Sequence, residues 1–482
     1  MLSLRPVLFV IGVELMVLAA AMLPSALIEV YSGTPDWRAF AFSGAATLFV
    51  GGALVLATHS ERARLGLREA FLMTSLCWFA ATLFSALPFV LLRDPLNFTD
   101  AFFESMSAIT TTGSTVMVGL DQAPPGILFW RALLQWIGGI GIIVTAVAVM
   151  PMLQVGGMQL FRTESSDRSQ KIVPRASQLA SGIAIVYSTL SVLLVIGLLA
   201  GGMTWFDAVA HAMTTISTGG FSTSDQSIAA YQSPAIQWVI VAGMLAGALP
   251  FVLFVAAMRG QPAMLYRDTQ VRWFCTTLAI SVAGVAAAEM SSTGQDFWLA
   301  VRLSAFNVTS VMSGTGFATA EYDRWGTFAP AVFFLLMFIG GCAGSASCGI
   351  KIFRFQILFA ATAMQLKRLI QPNGVFVAKF NGNAISREII ESVMAFTLVY
   401  MACFAVLTIS MGVLGMDLMT AASAAATTMS NVGPGLGEIV GPAGNFTTLP
   451  DAAKWILAAG MLLGRLEFFT ILVLFAPAFW RD

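Results

Sequence analysis

Four short polar loops, each with a glycine and each following an apolar segment, hold the residues best suited to chemistry in this chain. Aligned on one shared glycine, they are anchored at Gly113, Gly219, Gly316 and Gly433. Four similar loops on one polypeptide predict pseudo-four-fold symmetry about a common axis. Glycine adopts backbone conformations that other residues avoid, and inward-pointing carbonyl groups can replace the water shell of a cation inside a membrane. The loops therefore predict a cation site built from backbone oxygen atoms.

The loops contain no charged side chain. The positions before each glycine hold small or β-branched residues, which can lie behind the loop and leave its carbonyl groups free. A ring of carbonyls without carboxylates favours a monovalent cation. Clusters of Ser, Thr and Gly also form ordinary helix contacts in membranes, but four of them in the same position of four repeats favour a filter. The predicted filter residues are Thr111, Thr112, Gly113, Ser217, Thr218, Gly219, Gly314, Thr315, Gly316, Asn431, Val432 and Gly433.

The composition is that of a membrane protein. The chain is 57% hydrophobic and 10% charged, and its mean hydropathy is +0.82, whereas soluble domains contain about 25% charged residues. Several apolar runs exceed the roughly 20 residues that cross a bilayer. The formal net charge is zero, and nothing in the sequence predicts a nucleic-acid partner. We therefore predict an all-α polytopic membrane protein surrounded by a lipid bilayer.

Ten apolar spans organise the predicted fold. They cover residues 6–31, 38–58, 69–92, 126–152, 180–202, 234–258, 272–292, 326–365, 389–412 and 452–480. The first two spans have no filter loop, and the others form repeats in the order span, short helix, loop and span. This order predicts four tandem membrane-pore-membrane repeats and two extra N-terminal transmembrane helices. The predicted boundaries are 1–68 for the N-terminal helices and 69–170, 171–265, 266–380 and 381–482 for the repeats.

The short helix of each repeat is too short to cross the membrane. In three repeats it is predicted to begin at an acidic residue, Asp100, Asp207 or Asp417, because aspartate is a good N-cap. The run from this acid to the loop, roughly 10 to 14 residues, fits a helix of half the membrane thickness. The C-terminal end of a helix carries partial negative charge, so four such ends aimed at one point would favour a cation there.

Lysine and arginine residues determine the predicted orientation. Most of them lie at the termini or in the loops 59–68, 153–179, 259–271 and 351–388, and cytoplasmic loops carry an excess of positive charge. Both termini are therefore predicted to be cytoplasmic, with the four filter loops on the outside. The outer loops are acidic, which would concentrate cations at the mouth, although retention of basic residues on the inside explains the same pattern.

A second candidate site lies in the run of small residues from 340 to 350. These residues would interrupt a helix, and irregular backbone at membrane depth is tolerated only within protein or beside a water-filled cavity. Close helix contacts through glycine are the alternative. At the inner end of this run, Lys351 is predicted to extend to the membrane interface and to favour a closed loop. The predicted gate residues of the run are Gly340, Gly341, Gly344, Ser345, Gly349 and Lys351.

Arg465 is the remaining predicted gate residue and lies well inside a predicted span. An arginine at the bilayer centre costs about 2.5–3.5 kcal/mol, so its side chain must face the pore, a water-filled cavity or a carboxylate of another span. Glu467 is two residues away and points to a different side of a helix. If Arg465 faces the axis, its charge opposes cation passage.

Seven short strings lie in and around the predicted filter and gate. They are QWIGGIG at 135–141, STGGF at 217–221, GTGF at 314–317, GGCAGS at 340–345, GIK at 349–351, NVGPG at 431–435 and GRLE at 464–467. Together they resemble the Trk/Ktr/HKT potassium-transport superfamily, and most closely its bacterial Trk-type potassium uptake subunits. Cys342 and Cys348 stand where this family is expected to have small residues such as Ser or Gly.

The resemblance implies the function, the ion and the partners. It implies a potassium-selective filter and an intramembrane loop that restricts the pore. In this family, a serine in place of the first filter glycine goes with sodium transport, so Gly113 implies K⁺ as the transported ion. No cofactor is expected in this chain. The resemblance also implies a homodimer in the bacterial inner membrane, regulated by a cytoplasmic nucleotide-binding ring of the TrkA type.

The predicted function is potassium uptake through a gated, channel-like pore. A cation that enters down 100 mV gains about 2.3 kcal/mol, which corresponds to a concentration ratio of nearly 50, so uptake needs no other energy source. A potassium–proton or potassium–sodium symporter with alternating access is the alternative. Such transporters often contain inverted repeats, whereas the four loops share one orientation. The spans contain no Ser/His, paired Asp or His-rich metal constellation, so an enzyme is not expected.

Overall fold

The computed structural model describes residues 4–59, 66–148 and 176–481. Across these residues the chain is an all-α polytopic membrane protein, with four tandem membrane-pore-membrane repeats in pseudo-four-fold symmetry and two additional N-terminal transmembrane helices. The predicted boundary between residues 170 and 171, and the greater part of the basic loops 59–68 and 153–179, lie outside the described residues.

The N-terminal pair consists of α1 (Leu4–Ser32) and α2 (Trp37–Thr58). The two helices meet at Gly12 and Gly51. A Cβ atom placed on Gly12 would lie 2.9 Å from the carbonyl oxygen of Gly51, and one placed on Gly51 would lie 2.8 Å from that of Gly12. Small residues allow membrane helices to approach this closely, which explains why the pair packs as one unit beside the repeats.

The described residues of the first two repeats form eight α-helices. In the first repeat these are α3 (Leu67–Ser85), α4 (Leu87–Leu91), α5 (Phe98–Ile109) and α6 (Pro125–Ala148). In the second they are α7 (Ala176–Ala200), α8 (Trp205–Ile216), α9 (Pro234–Ala248) and α10 (Phe251–Met258).

The last two repeats contain ten helices and a small antiparallel sheet. The third repeat contains α11 (Ala263–Arg267), α12 (Thr269–Thr293), α13 (Phe297–Ser313), α14 (Phe328–Leu336) and α15 (Ile352–Ile370). The strands β1 (Lys379–Phe380) and β2 (Asn383–Ala384) follow it. The fourth repeat contains α16 (Arg387–Val413), α17 (Leu418–Ser430), α18 (Asp451–Arg465), α19 (Phe469–Leu472) and α20 (Pro477–Trp480). Short 3-10 helices cover Leu120–Gln122, Ser227–Ala230, Tyr322–Arg324 and Val473–Phe475.

Seven predicted spans are confirmed as helices that are long and apolar enough to cross a membrane. In the described part of the chain these are α1, α2, α3 together with α4, α6, α7, α12 and α16. The predicted spans at 234–258 and 452–480 each consist of two helices that meet at a sharp bend. The first is broken between α9 and α10 by a bend of 98°, and the second is broken after Arg465 by a bend of 106°. The long 326–365 segment is interrupted, as predicted, between α14 and α15.

Pro250 explains the first of these breaks. It stands between α9 and α10 with a φ of −64° and ψ of 120°, an extended conformation that ends one helix and precedes the next. Proline has no backbone N–H to continue the helical ladder. The second break has no proline. Instead, Glu467 and Phe468 adopt φ values of 61° and 38°, so the backbone reverses within two residues.

The short helices α5, α8, α13 and α17, here called the pore helices, start differently from the prediction in two cases. Helix α5 is capped by Asn97 and α8 by Thr204. Asp100 and Asp207 are three residues further on, and each accepts a hydrogen bond from the side chain of its cap while its own N–H donates to that side chain. This reciprocal arrangement resembles a capping box, except that the acid accepts from the side chain of the cap and not from its backbone N–H. The prediction for Asp417, which caps α17 directly, is confirmed.

Candidate functional site

The four pore helices end in the same backbone motif. A left-handed residue lies one or two positions after the end of each helix: Thr111, Thr218, Gly314 and Asn431 have φ values of 52°, 52°, 74° and 53°. The next residue donates its N–H to a carbonyl five residues earlier, in the pairs Thr112–Ser107, Gly219–Thr214, Thr315–Ser310 and Val432–Thr427, at 2.8 to 2.9 Å. A left-handed residue followed by this bond is the Schellman motif. The motif turns the chain sharply at the end of every pore helix.

Two of these left-handed positions are strained. Thr111 and Thr218 are β-branched, and a β-branched residue with positive φ is an outlier that costs about 1–3 kcal/mol. Both residues are buried, and each donates its N–H to the carbonyl three residues earlier, at 3.0 Å. Strain of this kind persists where the surrounding structure imposes it, and it clusters at functional sites.

The shared backbone motif corrects the alignment of the second loop. In the four loops, the glycine that follows the motif has positive φ: 87° at Gly113, 76° at Gly220, 84° at Gly316 and 111° at Gly433. The alignment on Gly219 is therefore wrong by one residue. Ser217 still has helical torsion angles and corresponds to Thr110 of the first loop. The second loop contributes Thr218, Gly219 and Gly220 at the positions of Thr111, Thr112 and Gly113.

The four loops contact one another in a closed cycle. A Cβ atom placed on Gly113 would collide with the carbonyl oxygen of Gly219. One on Gly220 would collide with that of Thr315, and one on Gly316 with that of Val432. One on Gly433 would lie 3.0 Å from the carbonyl oxygen of Thr112. The contacts therefore run from the first repeat to the second, third and fourth and back to the first, around one axis.

A single cavity borders all four loops. It has a volume of about 240 Å³, and its lining includes Gly113, Gly220, Gly316 and Gly433. Side-chain hydrogen bonds close the cycle between the first and fourth loops. Asn431 Nδ2 donates to Thr112 Oγ1 at 2.8 Å, and Ser114 Oγ donates to the carbonyl of Gly433 at 2.8 Å. The glycines thus surround a common space, and no charged residue lies in the loops themselves.

A buried ion pair that the sequence analysis missed supports the first two loops. Arg131 Nε lies 2.8 Å from Glu104 Oε1, and both side chains are buried. Glu104, in the middle of pore helix α5, also accepts the N–H of Val116 at 2.9 Å. Arg131 donates to the carbonyl of Ser222 at 3.1 Å and lies 4.1 Å from the centre of the Phe221 ring. The pair therefore connects the segment after the first filter loop with the segment after the second. Its signal in the sequence was a charged residue, Glu104 or Arg131, in each of two apolar runs.

The gate loop, residues 337–351 between α14 and α15, is buried beneath the third filter loop. A Cβ atom on Gly314 would lie 3.6 Å from Ser347 Oγ and 3.8 Å from the N of Cys348. The loop is fixed against the break between α9 and α10, because the N–H groups of Cys342 and Ala346 donate to the carbonyls of Ala248 and Gly247 at 2.9 and 3.0 Å. Gly340, Gly341, Gly344 and Ser345 are buried, and Gly349 is partly buried. The predicted gate residues therefore share one loop next to the filter.

The side chain of Lys351 does not reach an interface. The residue is 5% exposed, and its Nζ donates to the carbonyl of Ser347 at 3.1 Å. The prediction that Lys351 extends to the membrane interface is therefore wrong. Its ammonium group instead lies inside the gate loop, where it donates to the carbonyl of Ser347.

Arg465 joins the gate loop to the first repeat. Its Nη1 donates to the carbonyl of Ala346 at 3.2 Å and lies 2.9 Å from Cys348 Sγ, and its Nη2 donates to the carbonyl of Gly138 in α6 at 3.0 Å. Arg465 is 1% exposed. Glu467 pairs with Arg354 instead; it lies beyond the end of α18 and not, as was expected, on another side of the same helix. The guanidinium group therefore bridges three repeats directly below the filter.

Comparisons with known proteins agree with this architecture. The family model for TrkH, described as a cation transport protein, matches residues 37–482. The chain belongs to the TrkH family. Family membership and the membrane-crossing helices make it an integral membrane protein of cation transport.

Two curated relatives and one solved structure illustrate the likeness of this TrkH-family chain. The Trk system potassium uptake protein TrkI of Halomonas elongata is 43% identical over 99% of this chain and 97% of its own length. The Trk system potassium uptake protein TrkH of Escherichia coli K12 is 38% identical over 99% of both chains. The crystal structure of the potassium transporter TrkH from Vibrio parahaemolyticus superposes with a TM-score of 0.92, at 35% identity and full coverage of both chains.

Proposed function

We propose that this chain takes up potassium through a gated pore whose filter is the cycle of four loops. The observation that carries the proposal is the set of contacts between each loop glycine and a carbonyl of the next loop. The names of the relatives, which are potassium uptake proteins or a potassium transporter, support potassium as the ion.

The proposed cation site is formed by backbone oxygens of Thr111–Gly113, Thr218–Gly220, Gly314–Gly316 and Asn431–Gly433. Ser217 is left out, because it corresponds to a position one residue before the motif. Carbonyl groups can replace the hydration shell of a monovalent ion. The C-terminal ends of the four pore helices add partial negative charge at the same place, so a dehydrated cation is stabilised without a carboxylate in the loops.

The proposed gate consists of the loop 337–351 and Arg465. The loop lies next to Gly314 of the filter, and Arg465 holds it to α6. In this arrangement a fixed positive charge and a folded loop stand in the path of an ion that leaves the filter. Opening requires the loop to release the carbonyl of Ala346 from Arg465 and to move away from the break between α9 and α10.

The proposed setting is the bacterial inner membrane, with both termini in the cytoplasm. The membrane potential drives uptake, since an inward charge gains about 2.3 kcal/mol per 100 mV. The proposed assembly is a homodimer regulated by a cytoplasmic nucleotide-binding ring of the TrkA type. The names of the relatives, which place them in a Trk system, support association with further components.

Flux measurements in liposomes test this proposal. The purified protein is reconstituted, a fixed potential is imposed, and uptake of K⁺, Rb⁺, Na⁺ and Li⁺ is measured in turn. We expect K⁺ and Rb⁺ to enter and Na⁺ and Li⁺ to be excluded. Gly113→Ser, which places a side chain against the carbonyl of Gly219, should reduce the ratio of K⁺ to Na⁺ flux.

Gly260→Ser is a matched control for this variant. Gly260 has a φ of 88°, almost the same as the 87° of Gly113, but nothing lies within 4 Å of a Cβ atom placed there. Gly260→Ser therefore imposes the same backbone strain as Gly113→Ser without a collision. Equal K⁺ and Na⁺ flux in the unmodified protein would overturn the proposal. Single-channel current steps distinguish the pore from a symporter, which would instead carry H⁺ or Na⁺ in fixed proportion to K⁺.

A further inference from the structure

One position of the filter differs among the four loops. The residue that follows the left-handed residue is Thr112, Thr315 or Val432 in three loops, and it is Gly219 in the second loop. The backbone of Gly219 is not left-handed, so a side chain would meet no conformational barrier there. Its carbonyl oxygen nevertheless takes the same place in the cycle of contacts as the carbonyls of the other three residues.

The space beside Gly219 is occupied by the side chain of Gln135 from α6. A Cβ atom placed on Gly219 would collide with the Cδ and Oε1 atoms of Gln135 and would lie 2.9 Å from its Nε2. Gln135 is completely buried. One helical turn further along α6, a Cβ atom on Gly139 would lie 2.7 Å from Ser217 Cβ. Helix α6 of the first repeat is therefore pressed directly against the second loop.

The amide group of Gln135 forms two hydrogen bonds with this loop. Its Nε2 donates to the carbonyl of Gly219 at 2.6 Å, and its Oε1 accepts the N–H of Phe221 at 3.1 Å. The two bonds lie on either side of Gly220, the glycine with positive φ. Only an amide of this length supplies both a donor and an acceptor, so glutamate and methionine, which are similar in size, cannot replace both bonds.

We infer that Gln135 is a specificity-determining residue of the filter, which acts by holding the carbonyl of Gly219 in place. The inference rests on the proposed function. The carbonyl of Gly219 already accepts a hydrogen bond, whereas the carbonyls of Thr112, Thr315 and Val432 accept none from the described residues. Among the four carbonyl oxygens at this position of the loops, that of Gly219 is therefore the one held and polarised by a hydrogen bond within the described residues. The number and strength of the carbonyl dipoles influence which cation is selected.

The experiment measures K⁺ and Na⁺ flux separately in liposomes containing the full chain. Gln135→Met keeps the volume and removes both hydrogen bonds, and we expect the ratio of K⁺ to Na⁺ flux to fall about threefold to tenfold, the range expected for the loss of one or two hydrogen bonds. Gln237→Met is the matched control. Gln237 is buried in α9, and its Nε2 donates to the carbonyl of Tyr231 at 3.4 Å, away from the filter loops. The ratio of K⁺ to Na⁺ flux should therefore be the same in Gln237→Met as in the unmodified protein.

A compensating pair of substitutions tests the shared space. Gly219→Thr alone should abolish K⁺ flux, because the new side chain and Gln135 overlap. Gln135→Ala together with Gly219→Thr gives the second loop the threonine of the first and third loops and removes the overlap, so K⁺ flux should return. Without the two hydrogen bonds of Gln135, the ratio of K⁺ to Na⁺ flux should stay below that of the unmodified protein. A purely structural role of Gln135 would change the thermal unfolding midpoint of the protein but would leave the K⁺ to Na⁺ ratio of the folded fraction unchanged.

The outcomes separate this inference from the proposed function. If the unmodified protein shows no preference for K⁺, the proposed function fails. If it prefers K⁺ and folded Gln135→Met has the same ratio, the inference is refuted. If Gln135→Met does not fold, the paired variant decides: K⁺ flux that returns with a lowered ratio of K⁺ to Na⁺ flux supports the inference, whereas no return of flux, or a return with the unmodified ratio, refutes it.

Discussion

Removal of the Arg465 side chain is the perturbation that tests the gate most directly. Arg465 donates to the carbonyls of Ala346 and Gly138 and contacts Cys348 Sγ, so it ties the gate loop to α6. If the loop moves when the pore opens, the bond to Ala346 exists only in the closed state. We therefore expect Arg465→Ala to shift the gate towards its open form and to increase K⁺ flux.

The size of the effect follows from the contacts. A hydrogen bond to a charged group contributes about 1.5–3 kcal/mol, so loss of the bond to Ala346 alone weakens the closed state by about 1.5 kcal/mol or more. This corresponds to at least a tenfold change in the ratio of open to closed molecules. The positive charge below the filter also disappears, which lowers the electrostatic barrier for a cation and acts in the same direction.

The assay is the initial rate of K⁺ uptake into liposomes at a fixed potential, normalised to the amount of folded protein. Arg465→Lys serves as the control, because it keeps the charge but cannot span the three acceptors with a single ammonium group. We expect the highest K⁺ flux for Arg465→Ala, an intermediate flux for Arg465→Lys and the lowest flux for the unmodified protein. If folded Arg465→Ala transports K⁺ at or below the unmodified rate, Arg465 does not hold the gate closed.

Two further predictions concern the filter and its support. Gly316→Ala should abolish K⁺ flux because its Cβ collides with the carbonyl of Val432, whereas Gly382→Ala, with the same φ of 84° and open space around it, should transport normally. Equal flux in the two variants would show that the contact with Val432 does not matter. Glu104→Ala leaves Arg131 buried without its partner, which should destabilise the protein by about 3–5 kcal/mol in thermal unfolding. The exposed pair of Glu321 with Arg324 gives the comparison: Glu321→Ala should cost less than about 1 kcal/mol, and similar losses in the two variants would contradict the supporting role of Glu104.

The pore helices and the filter loops could be predicted because their signals are local. Glycine follows a short apolar helix in each repeat, and the same pattern occurs four times. The one-residue error at Gly219 arose because two glycines are adjacent there, and only the end of α8 decides which one follows the left-handed residue Thr218. A loop alignment made from the glycines alone therefore cannot detect that Gln135, which is distant in sequence, replaces a side chain of the loop.

Three features outside the filter differ from the prediction, and the reasons differ. Pro250 was a local signal for the break between α9 and α10, but the apolar run around it favoured a continuous span. The reversal at Glu467 and Phe468 contains no proline or glycine, and Glu467 pairs with Arg354, more than a hundred residues earlier. Lys351 was expected at an interface because lysine is strongly hydrated; the carbonyl of Ser347 that receives it becomes available only after the gate loop has folded.

The junction between the first and last filter loops has a consequence for biosynthesis. Asn431 donates a hydrogen bond to Thr112 and Ser114 donates one to Gly433, and in each case the two residues are 319 positions apart in the chain. Domains and repeats form in order as a chain leaves the ribosome, so the final quarter must be inserted before the ring can be sealed. A nascent or truncated polypeptide without the fourth repeat lacks both of these hydrogen bonds, and its cycle of loops stays open at this junction.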